Sequence, residues 1–139
     1  MDNESLQAAL DGIAADFTRR LDLRVTAVHP DGADLALPVV PGLVHGGGVV
    51  CGQSLLAAAD TAMLVAMIAV QGGFRPMTTV QLGFTFLRPV PADAGAVAIE
   101  ARVLRRGKSL CYGTVDFRVG DDGKLVGQAT TTYQLIGTA

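Results

Sequence analysis

Three observations predict an α+β chain in which one curved antiparallel sheet wraps around one long apolar helix. The stretch Val49 to Val70 is almost wholly apolar, with Asp60 as its only charge. Nearly all of the chain after residue 76 alternates apolar and polar residues with the period of two that marks strands. Helical and strand patterns are also grouped along the chain rather than interleaved, which separates this class from the α/β folds.

The elements follow in order. "LQAALDGIAADFTRR", residues 6–20, places Leu6, Ala9, Leu10, Ile13, Ala14 and Phe17 on a 3.6-residue period. That predicts one surface helix with a buried stripe, with Ser5 as its N-cap. "LRVTAVHPDGADLALPV" reads as two short strands about a "PDG" turn. "PGLVHGGG" is a glycine-rich loop. The apolar helix then runs from about Gly52 to about Val70, and "QGG" stops it. In the third strand, Val80, Leu82, Phe84 and Phe86 alternate against Thr79, Gln81, Gly83 and Thr85. "AVAIEARVLRRG", "SLCYGTVDFRVG" and "KLVGQATTTYQLIG" complete a run of four antiparallel strands. No linker or repeat interrupts the 139 residues, so a single domain, 1–139, is expected. A helix apolar on all sides must be covered on all sides. One curved sheet covers only part of it, so a homo-oligomer is expected, a second copy covering the rest.

Composition removes several classes of function. Half the residues are apolar and 17% are charged, against disorder. The net charge is −2 and basic residues never run beyond "RR", which argues against a nucleic-acid partner but leaves room for a small phosphorylated ligand. Cys51, Cys111, His29 and His45 follow no metal-ligand spacing, so no metal site is expected. Free thiols and an acidic N-terminus, "MDNESLQAAL", fit a cytoplasmic protein. The 49–70 stretch is long enough to span a bilayer. A central Asp, disfavoured there by roughly 2.5–3.5 kcal/mol, and the presence of Gly52, Gln53, Ser54 and Thr61 favour a core helix instead, with no membrane role.

Polar groups gather at the start of the long helix. The glycines around Gly48 lack a following Lys-Ser/Thr and the dinucleotide spacing. They suit a backbone that approaches a ligand closely, or a tight loop and nothing more. Gly52, the first helical residue, offers an unpaired N–H with the positive end of the helix dipole behind it, fitted to an oxygen that gains charge. Asp60 is either a buried carboxylate satisfied by backbone or threonine hydroxyls, or a tuned base. Eight residues separate Gly52 from Asp60, roughly 12 Å along a helix. If both act on one carbon, they belong to different copies of the chain.

These residues carry a resemblance. "HGGGVVCGQSLLAAADTAMLVA" and "TTVQLGFTFLRPV" resemble the hotdog-fold acyl-CoA thioesterases of the phenylacetate-pathway, or PaaI-like, type, and "LVGQATTTYQL" looks like that family's closing strand. In the family an Asn or Gln precedes a His-Gly pair, and an Asp or Glu lies eight residues beyond the glycine. The resemblance makes Gly52 the donor to the thioester carbonyl and Asp60 the general base or nucleophile. It makes Thr79 the hydroxyl that orients water and puts His45 at the amide position. Cys51 falls at the histidine before the glycine, and "RRGKS", with Arg105, Arg106, Lys108 and Ser109, resembles the turn that meets coenzyme A phosphates, or is simply a solvated hairpin turn. The chain departs from the pattern twice. The visible "HGG" at 45–47 is out of register with the family's, and His45 replaces an amide, doing its work only in the tautomer that donates. Cys51 reads as a packing residue rather than a nucleophile, since no orienting acid is evident and an apolar setting raises a thiol pKa.

The implied activity is thioester hydrolysis without a cofactor, on an acyl-CoA whose acyl group the sequence leaves open. A non-catalytic acyl-CoA or lipid-metabolite binder is the alternative of another class, and a dehydratase or hydratase is a further enzymatic one. No helix-turn-helix precedes the domain, against a transcription regulator.

Overall fold

The computed structural model describes residues 1–137; the last two residues of the expected domain lie outside that range. Helix α1 (Asn3–Ile13) and the short α2 (Asp16–Arg19) lead into the hairpin of β1 (Arg24–His29) and β2 (Gly32–Pro38). A single 3-10 turn, Pro41–Leu43, precedes the long helix α3 (Gly52–Gln71). Strands β3 (Met77–Phe86), β4 (Ala96–Arg106), β5 (Leu110–Val119) and β6 (Lys124–Leu135) follow. All pairings are antiparallel and the sheet order is β1-β2-β4-β5-β6-β3. The sheet curls so that every strand touches α3. This is the hotdog architecture.

The core is the inner face of the sheet packed on α3: Leu35, Val97, Ile99, Val115 and Phe117 meet Met63, Val65, Met67 and Ile68. At Gly113 a Cβ would crowd the Met63 thioether of α3 and lie 2.6 Å from the Arg102 carbonyl oxygen of β4, so glycine suits the place where β5 lies between its neighbouring strand and the helix. Helix α3 has the length and hydropathy of a membrane span, but 61% of its most apolar window is buried in the domain. It is the core helix, as its central acid and small polar residues predict.

The structure corrects four local expectations. The first helix is two helices: the chain turns extended at Ala14 and Ala15, just after Gly12, a poor helix former. Leu6 and Leu10 are buried, whereas Phe17, beyond the break, is 67% exposed. The N-cap is Asp2, whose carboxylate accepts from the Ser5 N–H while the Ser5 hydroxyl accepts from the Asp2 N–H, a capping box with Ser5 in the third helical position. Strand β3 does not neighbour β4; it crosses to pair with β6 and becomes a sheet edge. Its alternation also breaks. A bulge at Val80 shifts the register between Thr79 and Gln81, so Val80 is exposed while Thr79 faces inward with Leu82 and Phe84.

Two α3 surfaces result. Ala58, Ala59, Ala62, Val65 and Ala66 are sealed. Leu56, Ala57, Asp60 and Leu64, at helical spacing, stay only half-buried. Ten-residue β3 leaves one edge unpaired, with Val80, Phe86 and Leu87 about half exposed on or just beyond it.

Candidate active site

Asp60 sits mid-way along α3, within reach of hydroxyls from the edge strand β3 and its neighbour β6. Thr79 and Tyr133 are directly paired across β3 and β6, and both face the helix. The Thr79 hydroxyl donates to Asp60 Oδ1 at 2.7 Å, and the Tyr133 hydroxyl lies 2.7 Å from the same oxygen and 2.6 Å from the Asp60 carbonyl oxygen. Oδ2 meets no donor among the described residues and is not sealed from solvent. Burial first, and the Asp60 carboxylate with it, push the Tyr133 phenol far above its ordinary range, outweighing the opposing influence of the nearby Thr79 hydroxyl. Tyr133 therefore keeps its proton and acts as a donor. Sequence reasoning missed it. The signal was present: Tyr133 lies on the core face of β6, where a buried phenol needs an acceptor, and Asp60 is the only acid of the core helix.

The start of α3 is built by the glycine loop. Val44 pairs with Val50, and the Cys51 N–H donates to the Leu43 carbonyl, so the loop closes on itself before the helix begins. Gly47 and Gly48 each have a reason. The His45 ring folds back so tightly that a Cβ on Gly47 would lie 2.6 Å from its Cε1, and Gly48 takes φ +83°. The Gly47 N–H donates to His45 Nδ1 at 2.8 Å. That bond settles the tautomer question: in neutral His45 the proton is on Nε2, which is left as an exposed donor. Gly48 is likewise exposed, its N–H donating to the His45 carbonyl.

Gly52 opens the helix with its N–H unpartnered among the described residues. Its Cα faces the Phe86 ring, 3.3 Å from where a Cβ would stand. A cleft of about 210 Å³ lies here, walled by Val50, Leu55, Phe86, Leu87 and Val90. Cys51 lines a different cleft, of about 270 Å³, with Phe17, Leu21 and Leu43. The Cys51 thiol is not held up by apolar surroundings. The Ser54 hydroxyl, 3.0 Å from Sγ, and the helix-start N–H groups push it below the usual thiol range despite partial burial.

Within one copy, then, the structure joins Asp60 to Thr79 but not to Gly52, which stays eight residues away on the same helix. The basic turn lies at the far end. Arg106 Nη1 donates to the Val70 carbonyl at the C-terminus of α3, while Arg105, Lys108 and Ser109 are exposed. That is about 15 Å beyond Asp60 along the helix. Arg75, not singled out in the sequence, is, like Arg106, near enough to the Cys111 thiol to act on it. Among the described residues no cluster of His, Cys, Asp and Glu could hold a metal ion.

Several solved structures share this fold. Conserved protein PA5202 from Pseudomonas aeruginosa is 28% identical, with TM-score 0.80, over 91% of this chain and 98% of that one. The Escherichia coli PaaI protein from the phenylacetic acid degradation operon superposes with TM-score 0.82 over 99% and 97% of the two chains, at 18% identity. A hypothetical thioesterase from Streptococcus pneumoniae TIGR4, solved with coenzyme A, gives TM-score 0.75 over 84% and 87%, at 19% identity. No curated protein matches in sequence. The sequence model of the thioesterase superfamily matches residues 42–126, from the glycine loop through α3 to the start of β6, and the chain belongs to that superfamily.

Proposed function

We propose that the protein is an acyl-CoA thioesterase whose active site is completed by a second copy of the chain. One observation carries the reading. A carboxylate with one oxygen open lies on the incompletely covered face of the core helix, beside a long unpaired edge strand. Such edges invite pairing. Two copies joined along β3 would bring their α3 helices side by side and antiparallel, with Gly52 of each near Asp60 of the other.

In this arrangement the Gly52 N–H and the His45 Nε2–H polarise the thioester carbonyl. Asp60 takes a proton from water as the water oxygen bonds to the carbonyl carbon. The C–S bond then breaks, and the proton passes to the thiolate, giving a free acid and CoA. Alternatively Asp60 attacks the carbon itself and expels the CoA thiolate; water then opens the resulting anhydride, freeing the acid and Asp60 and supplying the proton that the thiolate takes up. Thiolate is a good leaving group, so the chemistry asks for no metal or redox cofactor. The cleft at Gly52, mostly apolar but lined also by Arg88, would seat the acyl group, and Arg105, Arg106, Lys108 and Ser109 would meet the CoA phosphates. The bound coenzyme A of the Streptococcus pneumoniae relative is in keeping with this ligand class. The PaaI-like branch is the assignment within the superfamily that the motifs favour. Its setting would be the cytoplasm, where both cysteines stay free thiols as they are here.

Thiol release from aromatic, short-chain and long-chain acyl-CoAs tests the reading. Hydrolysis of at least one class is expected. Mixed dimers of Asp60→Asn and Gly52→Pro subunits should regain activity over either variant alone, because proline at the first helical position removes the donor while sparing the helix. Binding without release would instead support an acyl-CoA binder, the reading that Cys51 and His45 at the family's His and amide positions keep open. No recovery in mixed dimers would sink the shared site.

A further inference from the structure

The geometry points to Tyr133 as a positioning residue that, together with Thr79, holds Asp60 by Oδ1 and reserves Oδ2 as the oxygen that meets water or the thioester. The inference rests on the hydrolase reading and deepens it.

A carboxylate in a catalytic role has two chemically equal oxygens, and here they are made unequal. Two hydroxyls converge on Oδ1 at 2.7 Å each, and Oδ2 has none. No Lys, Arg or His pairs with Asp60 among the described residues. The neighbours on its own helix face, Leu56, Ala57 and Leu64, are uncharged. From β3 the group facing it is Thr79, and from β6 it is Tyr133, the one titratable side chain bonded to it. The two hydroxyls therefore do the work a cation does elsewhere, stabilising the anion and fixing its plane.

Tyr133 does more than Thr79. Its single proton is shared between Oδ1 and the Asp60 carbonyl oxygen. Both acceptors belong to the same residue, so the ring sits in one place whichever takes the proton, and it ties the side chain to its own helix turn. The phenol is 4% exposed and cannot be replaced by a passing water. The β3 bulge is what makes the convergence possible, because it turns Thr79 inward opposite Tyr133 while the rest of the strand keeps Leu82 and Phe84 on the core. Thr79 then acts through the carboxylate rather than on the water.

Tyr133→Phe keeps the ring and removes only the hydroxyl. Its kcat should fall about tenfold or more, the range for a hydrogen bond to a charged group, with KM little changed. In an Asp60→Asn background the same change should leave the residual rate untouched, because a residue that acts through Asp60 has nothing left to act on. Infrared spectra of the protein with ¹³Cγ-labelled aspartate, differenced against Asp60→Asn, should show the Asp60 carboxylate stretches shifting in Tyr133→Phe. This last readout needs no turnover. A wild-type protein that hydrolyses no acyl-CoA defeats the hydrolase reading alone. Unshifted carboxylate bands, a wild-type kcat, or an equal loss in both backgrounds defeats the tether. If Tyr133→Phe does not fold, 3-fluorotyrosine at 133 in a Tyr112→Phe chain strengthens the donor instead. The bands should then move the other way, and unmoved bands again defeat the tether.

Discussion

The two faces of α3 are made of similar residues and treated in opposite ways. Toward the sheet, Ala58, Ala62, Val65 and Ala66 are fully buried against β-strand side chains. On the other side, Leu56, Ala57 and Leu64 flank Asp60 and are only half covered. Apolar character alone cannot account for that division, since the helix is apolar all round. What differs is the partner: the first face has its own sheet, and the second has only the edge strand and two hydroxyls. An acid is tolerated on the second face because Thr79 and Tyr133 satisfy one oxygen and solvent reaches the other. The first face offers neither.

The largest effect should come from moving the acid across the helix. Val65→Asp places a carboxylate where nothing donates to it, at a cost of about 4 kcal/mol or more. That is much of a small domain's stability. Urea denaturation should show a chain that is largely unfolded or strongly destabilised; a variant as stable as wild type would mean the two faces are not different in kind. Asp60→Asn is the converse test. The amide oxygen can still accept from Thr79 and Tyr133, so the denaturation midpoint should barely move. Turnover should drop by about 10²–10⁴, the usual contribution of a positioned acid or base. A smaller change follows from Val80→Lys on the exposed edge. Charge there opposes strand pairing, so sedimentation should shift from dimer toward monomer and activity should fall with it. A wild-type protein that sediments as a monomer at all concentrations would remove the second copy from the site.

How much of this was legible in the sequence differs between the two faces as well. Periodicity gave the core helix and most of the strands to within a residue or two, because burial imposes those periods, although β3 ends at Phe86, short of the "LRPV" read with it. Asp60 and Gly52 stood out because one breaks a pattern and the other begins one, whereas Thr79 came only from the family resemblance. Three things did not show. The break after Ile13 depends on two alanines turning extended, which no alanine signals. The β3 crossover to β6 is a tertiary choice, invisible in strand order. The Val80 bulge is masked by an ordinary alternating string, and it turns Thr79 rather than Val80 inward while Leu82 and Phe84 keep their places. Tyr133 was hidden for a related reason: its role depends on which strand lies beside β3, and only the crossover decides that.

The smallest effect sharpens the comparison through the two cysteines, one at the helix start and one on β5, which play the part of the two faces. Cys51, half-buried at the N-cap, has its thiol pushed down by the Ser54 hydroxyl and by helix-start N–H groups. Cys111, on the core face of β5, has its thiol pushed up by burial, against weaker help from the Gly107 backbone and two arginines. Only thiolate reacts with iodoacetamide. As pH rises, Cys51 should therefore begin to alkylate below the ordinary thiol range, and Cys111 only above it or on unfolding. Mass spectrometry of labelled peptides across pH 6 to 9 reads both in one sample, pH being the solution condition chosen around the reference thiol pKa of about 8.5. Free CoA added to the reaction separates two uses of the Cys51 cleft. Protection of Cys51 would place the thioester carrier beside it, as its position before Gly52 implies. Labelling unchanged by CoA would leave Cys51 in a cleft of its own and confine the ligand to the Gly52 side, where Phe86 and Leu87 form the wall.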